Sequence, residues 1–192
     1  MTLTDILHAR RTIRLFQQRP VSRTDLTALL EAARVTSCAG NQQRLRYTVV
    51  TEPALAERLF AFTAYGALVR PRRSPVWGVS APTAFIVVTT APSPATTLAY
   101  ADAGAAIQSM QLTATERGLG CCWLGAIRRA DIHALLQLPA DADVLFVLAV
   151  GHPAEHPVLE DTDDPEAVQY YLDDHDTLHV PKLTLRQLVD WR

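Results

Sequence analysis

Lysine is almost missing from this chain: Lys182 stands alone beside seventeen arginines. A net charge of −2 over 192 residues excludes a general nucleic-acid binder that works by releasing counterions from a phosphate backbone. No apolar run approaches the roughly 20 residues that a membrane-spanning helix needs. The runs "AFIVVTTA" and "DVLFVLAVG" read instead as buried strands. There is no phosphate-binding G-x-x-x-x-G-K loop, no G-x-G-x-x-G and no G-x-S-x-G, which removes P-loop, Rossmann and α/β-hydrolase chemistry. Only three cysteines occur, Cys38, Cys121 and Cys122. Adjacent cysteines rarely pair with each other, an odd count leaves one thiol over, and no signal peptide precedes them, so the expectation is a reduced, cytoplasmic protein.

What is present is unevenly placed. Residues 1–75 hold twelve arginines against five acids, whereas residues 151–181 hold nine acids and no Lys or Arg. The segment "ARRTIRLF" alone carries Arg10, Arg11 and Arg14, with the hydroxyl of Thr12 between them. Such a concentration fits a localised anion site or an ordinary solvated surface, and the segment alone does not choose.

The periodicities predict an α+β fold. "TLTDILHARR" reads as a Thr-capped helix, and "SRTDLTALLEAARVT" as a helix capped by Ser22 with Leu26, Leu29, Leu30 and Ala33 on one face. "RYTVVTE" is a strand, followed by a helix opened by Pro53. Three prolines and two glycines break every period in residues 66–82, which predicts a long loop of the kind often used functionally. "TAFIVVTT" is a buried strand, residues 96–120 a long alanine-rich helix ended by Gly118 and Gly120, "CCWLGAI" a short strand or turn, "RADIHALLQL" a helix and "DADVLFVLAVGHP" a central strand. Few strands appear for so many helices. The acidic stretch reads as a loop without a core of its own, and "LTLRQLVDWR" as a final helix with Leu185, Leu188 and Val189 in a stripe and Trp191 beside it. The expected result is one domain, 1–192, whose tail, about 152–192, leaves its own body to pack on a partner subunit.

Metal chemistry finds no donor set. His152 and His156 are four apart, but the prolines of "GHPAEHP" prevent a helix from bringing both imidazoles to one ion, and "EDTDDPE" lacks the glycine turn of a calcium loop. Cys38 reads as a half-buried filler rather than a nucleophile, and "RPRR" at 70–73 as a solvated loop.

Taken in order, "RRTIR", "SCAGNQQRLRY", the alanine-rich helix ending "GLG", "WLG", the strand ending "GHP" and "HVPKL" resemble the nitroreductase-like family of FMN-dependent oxidoreductases. The resemblance covers most of the chain. It implies a three-layer α/β/α sandwich with a mixed, mainly antiparallel sheet, and an intertwined homodimer with exchanged C-terminal tails. It implies that Arg10 and Thr12, joined by Lys182, hold the FMN phosphate, that Arg11 belongs to the same cofactor-binding segment, and that Arg14 lies by flavin N1 and O2 and tunes the ring. Cys38, Ala39, Asn41 and Gln43 would come from the opposite subunit, and the backbone N–H groups of Leu124 and Gly125 would face N5 and O4. The family's Pro-Trp stands here as Arg44-Leu45, and its V-P-K-R as "VPKL". These departures bear on substrate and flavin affinity more than on fold.

The implied activity is ping-pong hydride transfer through flavin N5, from NADH or NADPH to a small nitroaromatic- or quinone-like acceptor. No side chain acts as acid or base, and neither membrane nor nucleic acid is a partner. The alternatives are an FMN-dependent dehydrogenase or oxidase working without nicotinamide, and a flavin-poor homologue that only binds a ligand.

Overall fold

The first helix, α1 (Leu3–Ala9), begins where Thr2 and Asp5 satisfy each other's backbone N–H groups, a reciprocal cap for donors that the helix leaves unpaired. A short strand β1 (Phe16–Gln17) follows, then α2 (Arg23–Arg34), whose Ser22 hydroxyl accepts the Asp25 N–H as expected. Strand β2 (Leu45–Val50) leads to α3 (Pro53–Phe60), with Pro53 in the first turn and the Glu52 carboxylate accepting the N–H groups of Ala54 and Leu55. This computed structural model describes all of residues 1–192.

Strand β3 (Ala84–Thr90) is buried at every position, so its alternating side chains serve two cores. Ala84, Ile86 and Val88 face α2 and the long helix α4 (Thr97–Glu116). Phe85 and Val87 face α3 and a further helix, α5 (Arg129–Leu135). Strand β4 (Gly120–Leu124) divides in the same way, with Cys121 in the first core and Cys122 and Leu124 in the second. Along α4, Ala99, Ala103, Ala106 and Ala114 are buried, and their small size lets α2 approach closely through Leu26, Leu29 and Ala33. Leu29 is fully buried there; cutting it to Ala should cost about 2–5 kcal/mol.

The central strand is β5 (Asp143–Pro153), which pairs antiparallel with β3 and β4 and, at its far end, with β1, while β2 completes the edge beyond β3. Helices cover both faces, which is the expected three-layer α/β/α arrangement with an antiparallel sheet.

The tail departs from its expected form. The acidic stretch is not one loop: β6 (Val158–Thr162), β7 (Tyr171–Leu172) and β8 (Leu178–Leu183) make a second sheet, with β8 central and parallel to β6. These strands carry little period-2 signal in the sequence, since β7 is two residues long, β6 reads "VLEDT" and β8 contains Pro181. Nor does the whole tail leave its own body, since Leu178 is 2% exposed and buried against the same chain. The final helix, α6 (Leu185–Leu188), is one turn rather than the expected ten residues. Leu185, Leu188 and Trp191 stand 73%, 63% and 88% exposed.

Candidate cofactor site

Two glycines decide where the arginine segment lies. Gly120 and Gly151 pair with each other across β4 and β5. A Cβ on Gly120 would fall 2.6 Å from the Ile13 side chain, and one on Gly151 would fall 2.7 Å from the Phe16 ring. Without those methyl groups, Ile13 and Phe16 seat directly on the sheet. Thr12 then bridges Cys121 in parallel, and the Ile13 N–H donates to the Cys121 carbonyl at 2.9 Å. The segment touches β4 at Cys121 and then turns to the end of β5, where the Leu15 carbonyl accepts the Ala154 N–H and Phe16 pairs with Pro153; no hydrogen bond or bridge joins "RRTIR" to "WLG".

Its three arginines have different surroundings. Arg11 turns back on α1 and donates to the carbonyls of Leu7 and His8, closing the helix end. Arg10 is partly buried and forms no ion pair; burial pushes its pKa below the usual arginine value, partly opposed by Cys121. Arg14 is 9% exposed, and its Nε has no acceptor. The Arg14 guanidinium lies over the Tyr170 ring, 4.7 Å from the centroid, and the chain makes room for it at Gly66, where a Cβ would stand 2.7 Å from Nε. Arg10 and Arg14 thus lie near Cys121 and Cys122 of β4 with no ion-pair partner for either guanidinium, although burying an uncompensated cation is costly. That arrangement fits an anionic ligand with a hydrogen-bond-accepting ring.

Glu155 underlies the segment. One of its oxygens, Oε1, accepts the N–H groups of both Arg14 and Leu15, the latter at 3.1 Å. Its other oxygen lies 2.8 Å from Nε of Arg73, off the line of a hydrogen bond, so the contact is one of charge. Arg73 also reaches Asp176 in the tail, with Nη1 2.9 Å from Oδ2. Arg73 itself is 4% exposed, which corrects the reading of "RPRR" as wholly solvated; Arg70 and Arg72 do remain outside. Sequence reasoning missed Gly66, Arg73, Glu155 and Tyr170. No local pattern separates Arg73 from its neighbours, and Glu155 drew attention only through the histidines around it.

At the end of β4, Trp123 is 38% exposed and meets Phe146 edge-on at 5.2 Å, while Leu124 is buried and Gly125 exposed. The loop of Cys38, Ala39, Asn41 and Gln43 lies elsewhere. Its Ala39 N–H donates to Asp102 of α4 at 2.8 Å, the Gln43 N–H to Cys38 Sγ at 3.4 Å, and the Gln43 amide to Asn41 at 3.2 Å. Beside it opens a cavity of about 410 Å³ walled by Leu30, Ala33, Leu45, Tyr47 and Ala106. No hydrogen bond or ion pair joins this loop to the arginine segment within one chain, and none joins Lys182, which is exposed on β8 opposite Asp161.

Burial pushes the Cys121 thiol well above the usual range and that of Cys122 up to about 12, so neither is a nucleophile near neutral pH.

The chain is similar to several known proteins. The model of the nitroreductase family matches residues 7–152. A protein of Archaeoglobus fulgidus assigned as an NADH dehydrogenase/NAD(P)H nitroreductase is 26% identical over 83% of this chain and 90% of its own. The FMN reductase (NADPH) of Bacillus subtilis is 46% identical over 55 residues, 28% of this chain and 22% of its own. Among solved structures, a protein of Desulfovibrio desulfuricans assigned as a nitroreductase, in complex with FMN, superposes with a TM-score of 0.68 at 28% identity over 81% of this chain and 88% of its own.

Proposed function

This chain belongs to the nitroreductase family, and we propose that it reduces a small organic acceptor, nitroaromatic- or quinone-like, by a ping-pong cycle with NADH or NADPH as donor. It is an FMN-dependent NAD(P)H oxidoreductase. Bound FMN would supply the redox chemistry between the nicotinamide and the acceptor.

The protein's own part is to bind and to tune. Arg10 and Thr12, with Lys182, hold the phosphate; Arg11 fixes the helix end that aims Arg10. Arg14 would lie by the pyrimidine side of the ring, where a cation stabilises negative charge. The backbone N–H groups of Leu124 and Gly125 would hold the other edge of the ring. Cys38, Ala39, Asn41 and Gln43 complete the site from a second subunit. The absence of any link between that loop and the arginine segment within one chain supports a site shared by two chains.

The working form is accordingly a homodimer. Leu3 and Leu7 on α1, Leu98 and Tyr100 on α4, and the tail residues Leu185, Leu188 and Trp191 supply exposed apolar surface for it. No helix is long and apolar enough to cross a membrane. The three free cysteines suit the reducing cytoplasm.

The observation that carries the reading is the pair of carboxylate-free cations, Arg10 and Arg14, beside β4. The test is the absorption spectrum of the purified protein before and after anaerobic NADH or NADPH. Flavin bands that bleach with nicotinamide are expected. A protein that is colourless and takes up no added FMN would refute it. Bands that respond to dithionite but to neither nicotinamide would point to an FMN enzyme with another donor.

A further inference from the structure

We propose that Glu155 is the positioning residue for Arg14, and that Arg73 keeps the charge of Glu155 away from it. The inference rests on Arg14 serving the flavin ring, as argued above.

Glu155 lies two residues beyond the last residue of β5, Pro153, and its side chain is 6% exposed. A buried carboxylate is expensive unless its oxygens are occupied. Here one oxygen accepts the N–H groups of Arg14 and Leu15 together, fixing the backbone from which the Arg14 side chain departs. The other oxygen faces Arg73, whose side chain is 5% exposed. Both oxygens are therefore committed, and neither meets the Arg14 guanidinium. That group instead lies between Gly66 and the Tyr170 ring, a neutral slot with no acid in it.

The division of charge has a direct consequence. Arg73 offsets Glu155 and also holds Asp176 of the tail. With Arg73 present, the positive field of Arg14 acts undiminished on whatever lies in front of it. Without Arg73, Glu155 has a free oxygen and an uncompensated charge next to Arg14, and the field there weakens. Replacing Glu155 by its amide does the opposite: an acceptor remains for the N–H groups while the negative charge goes.

The flavin midpoint potential of the holoprotein reads this sign. Glu155→Gln should raise it and Arg73→Met should lower it, with Arg73→Lys returning it towards the wild-type value. A structural role alone would not move the first two variants in opposite directions. Shifts in the same direction, or no shift in either, would overturn the proposal. Should Arg73→Met not fold, Glu155→Gln decides alone, and an unchanged or lowered potential overturns it.

A second measurement needs no flavin. In the flavin-free protein, Glu155→Ala should lower the hydrogen-exchange protection of the Arg14 and Leu15 amides about tenfold or more, with β3 and β5 still protected. Unchanged protection there would overturn the positioning role even if FMN binds. If the wild-type protein takes up no FMN and Glu155→Ala still shows this loss of protection, the redox reading is removed and the positioning role stands.

Discussion

The guanidinium of Arg14 rests on the ring of Tyr170, so a residue near the start of the chain is covered by a residue of its own tail. The tail was expected to serve a neighbour alone. Residues 155–178 instead return to the same chain through Glu155, Tyr170, Asp176 and Leu178.

Gly66 limits what this arrangement tolerates. Its φ is +35°, a backbone conformation that side chains disfavour, and a Cβ would meet Arg14 at 2.7 Å from Nε and 2.9 Å from Cδ. Gly66→Ala should cost about 1–3 kcal/mol in chemical denaturation and should reduce flavin content by displacing Arg14. Wild-type stability together with full flavin occupancy would contradict the contact.

Arg10 and Arg14 should separate in their effects. Arg10→Ala should weaken FMN retention, since a charge-assisted contact is worth roughly 1.5–3 kcal/mol, or about ten- to a hundredfold in dissociation constant. Arg14→Ala should mainly lower the flavin potential and slow reduction by nicotinamide. Equilibrium titration and stopped-flow absorbance check both; unchanged values in both variants would show that the assigned roles are wrong.

His179 ties the tail sheet together. Its two ring nitrogens lie beside Asp173 and Glu160, and its ring stacks on Tyr171 at 4.9 Å. Both contacts require the doubly protonated ring, and the Asp173 hydrogen bond, followed by Glu160, raises its pKa above the usual 6.5. The raised value means that the folded tail holds the proton more tightly. The stabilisation is complete below the unfolded value and is lost as pH rises through the folded one. The protection factors of β6, β7 and β8, corrected for the base-catalysed intrinsic exchange rate, should therefore fall across that window. His179→Ala should remove the pH dependence, and a dependence that persists in that variant would assign it to another group.

The thiols offer a simple check on burial. Cys121 and Cys122 are each 4% exposed, whereas Cys38 is only half-buried. Alkylation of the native protein followed by mass mapping should modify Cys38 first, and the other two only on unfolding. Early modification of Cys121 would mean that the segment over β4 opens readily.

The last residues should matter for assembly rather than folding. Deleting 184–192 removes exposed Leu185, Leu188 and Trp191 and none of the buried core. The shortened chain should keep its helical and strand content by circular dichroism while losing dimer in light scattering, and flavin with it. A truncated protein that stays dimeric and yellow would show that these residues are peripheral.

The sequence by itself determined the layered core and the resemblance to the family. The Ser22 cap, the alternation of "TAFIVVTT" and the alanine face of α4 are local patterns with one physical reading each, because capping and side-chain period act within a few residues. The order of "RRTIR", "WLG" and the other motifs was likewise readable. What only the tertiary structure decided is which charges meet. Arg73 lies 82 residues from Glu155 in the chain and Arg14 lies 156 from Tyr170, by subtraction of their numbers. The acids of the tail look uniform along the chain. Yet Glu155 is buried against two backbone N–H groups, and Glu160 and Asp173 close on His179. Burial and pairing depend on neighbours brought by the fold, and a carboxylate in the sequence carries no mark of whether water or an arginine will face it.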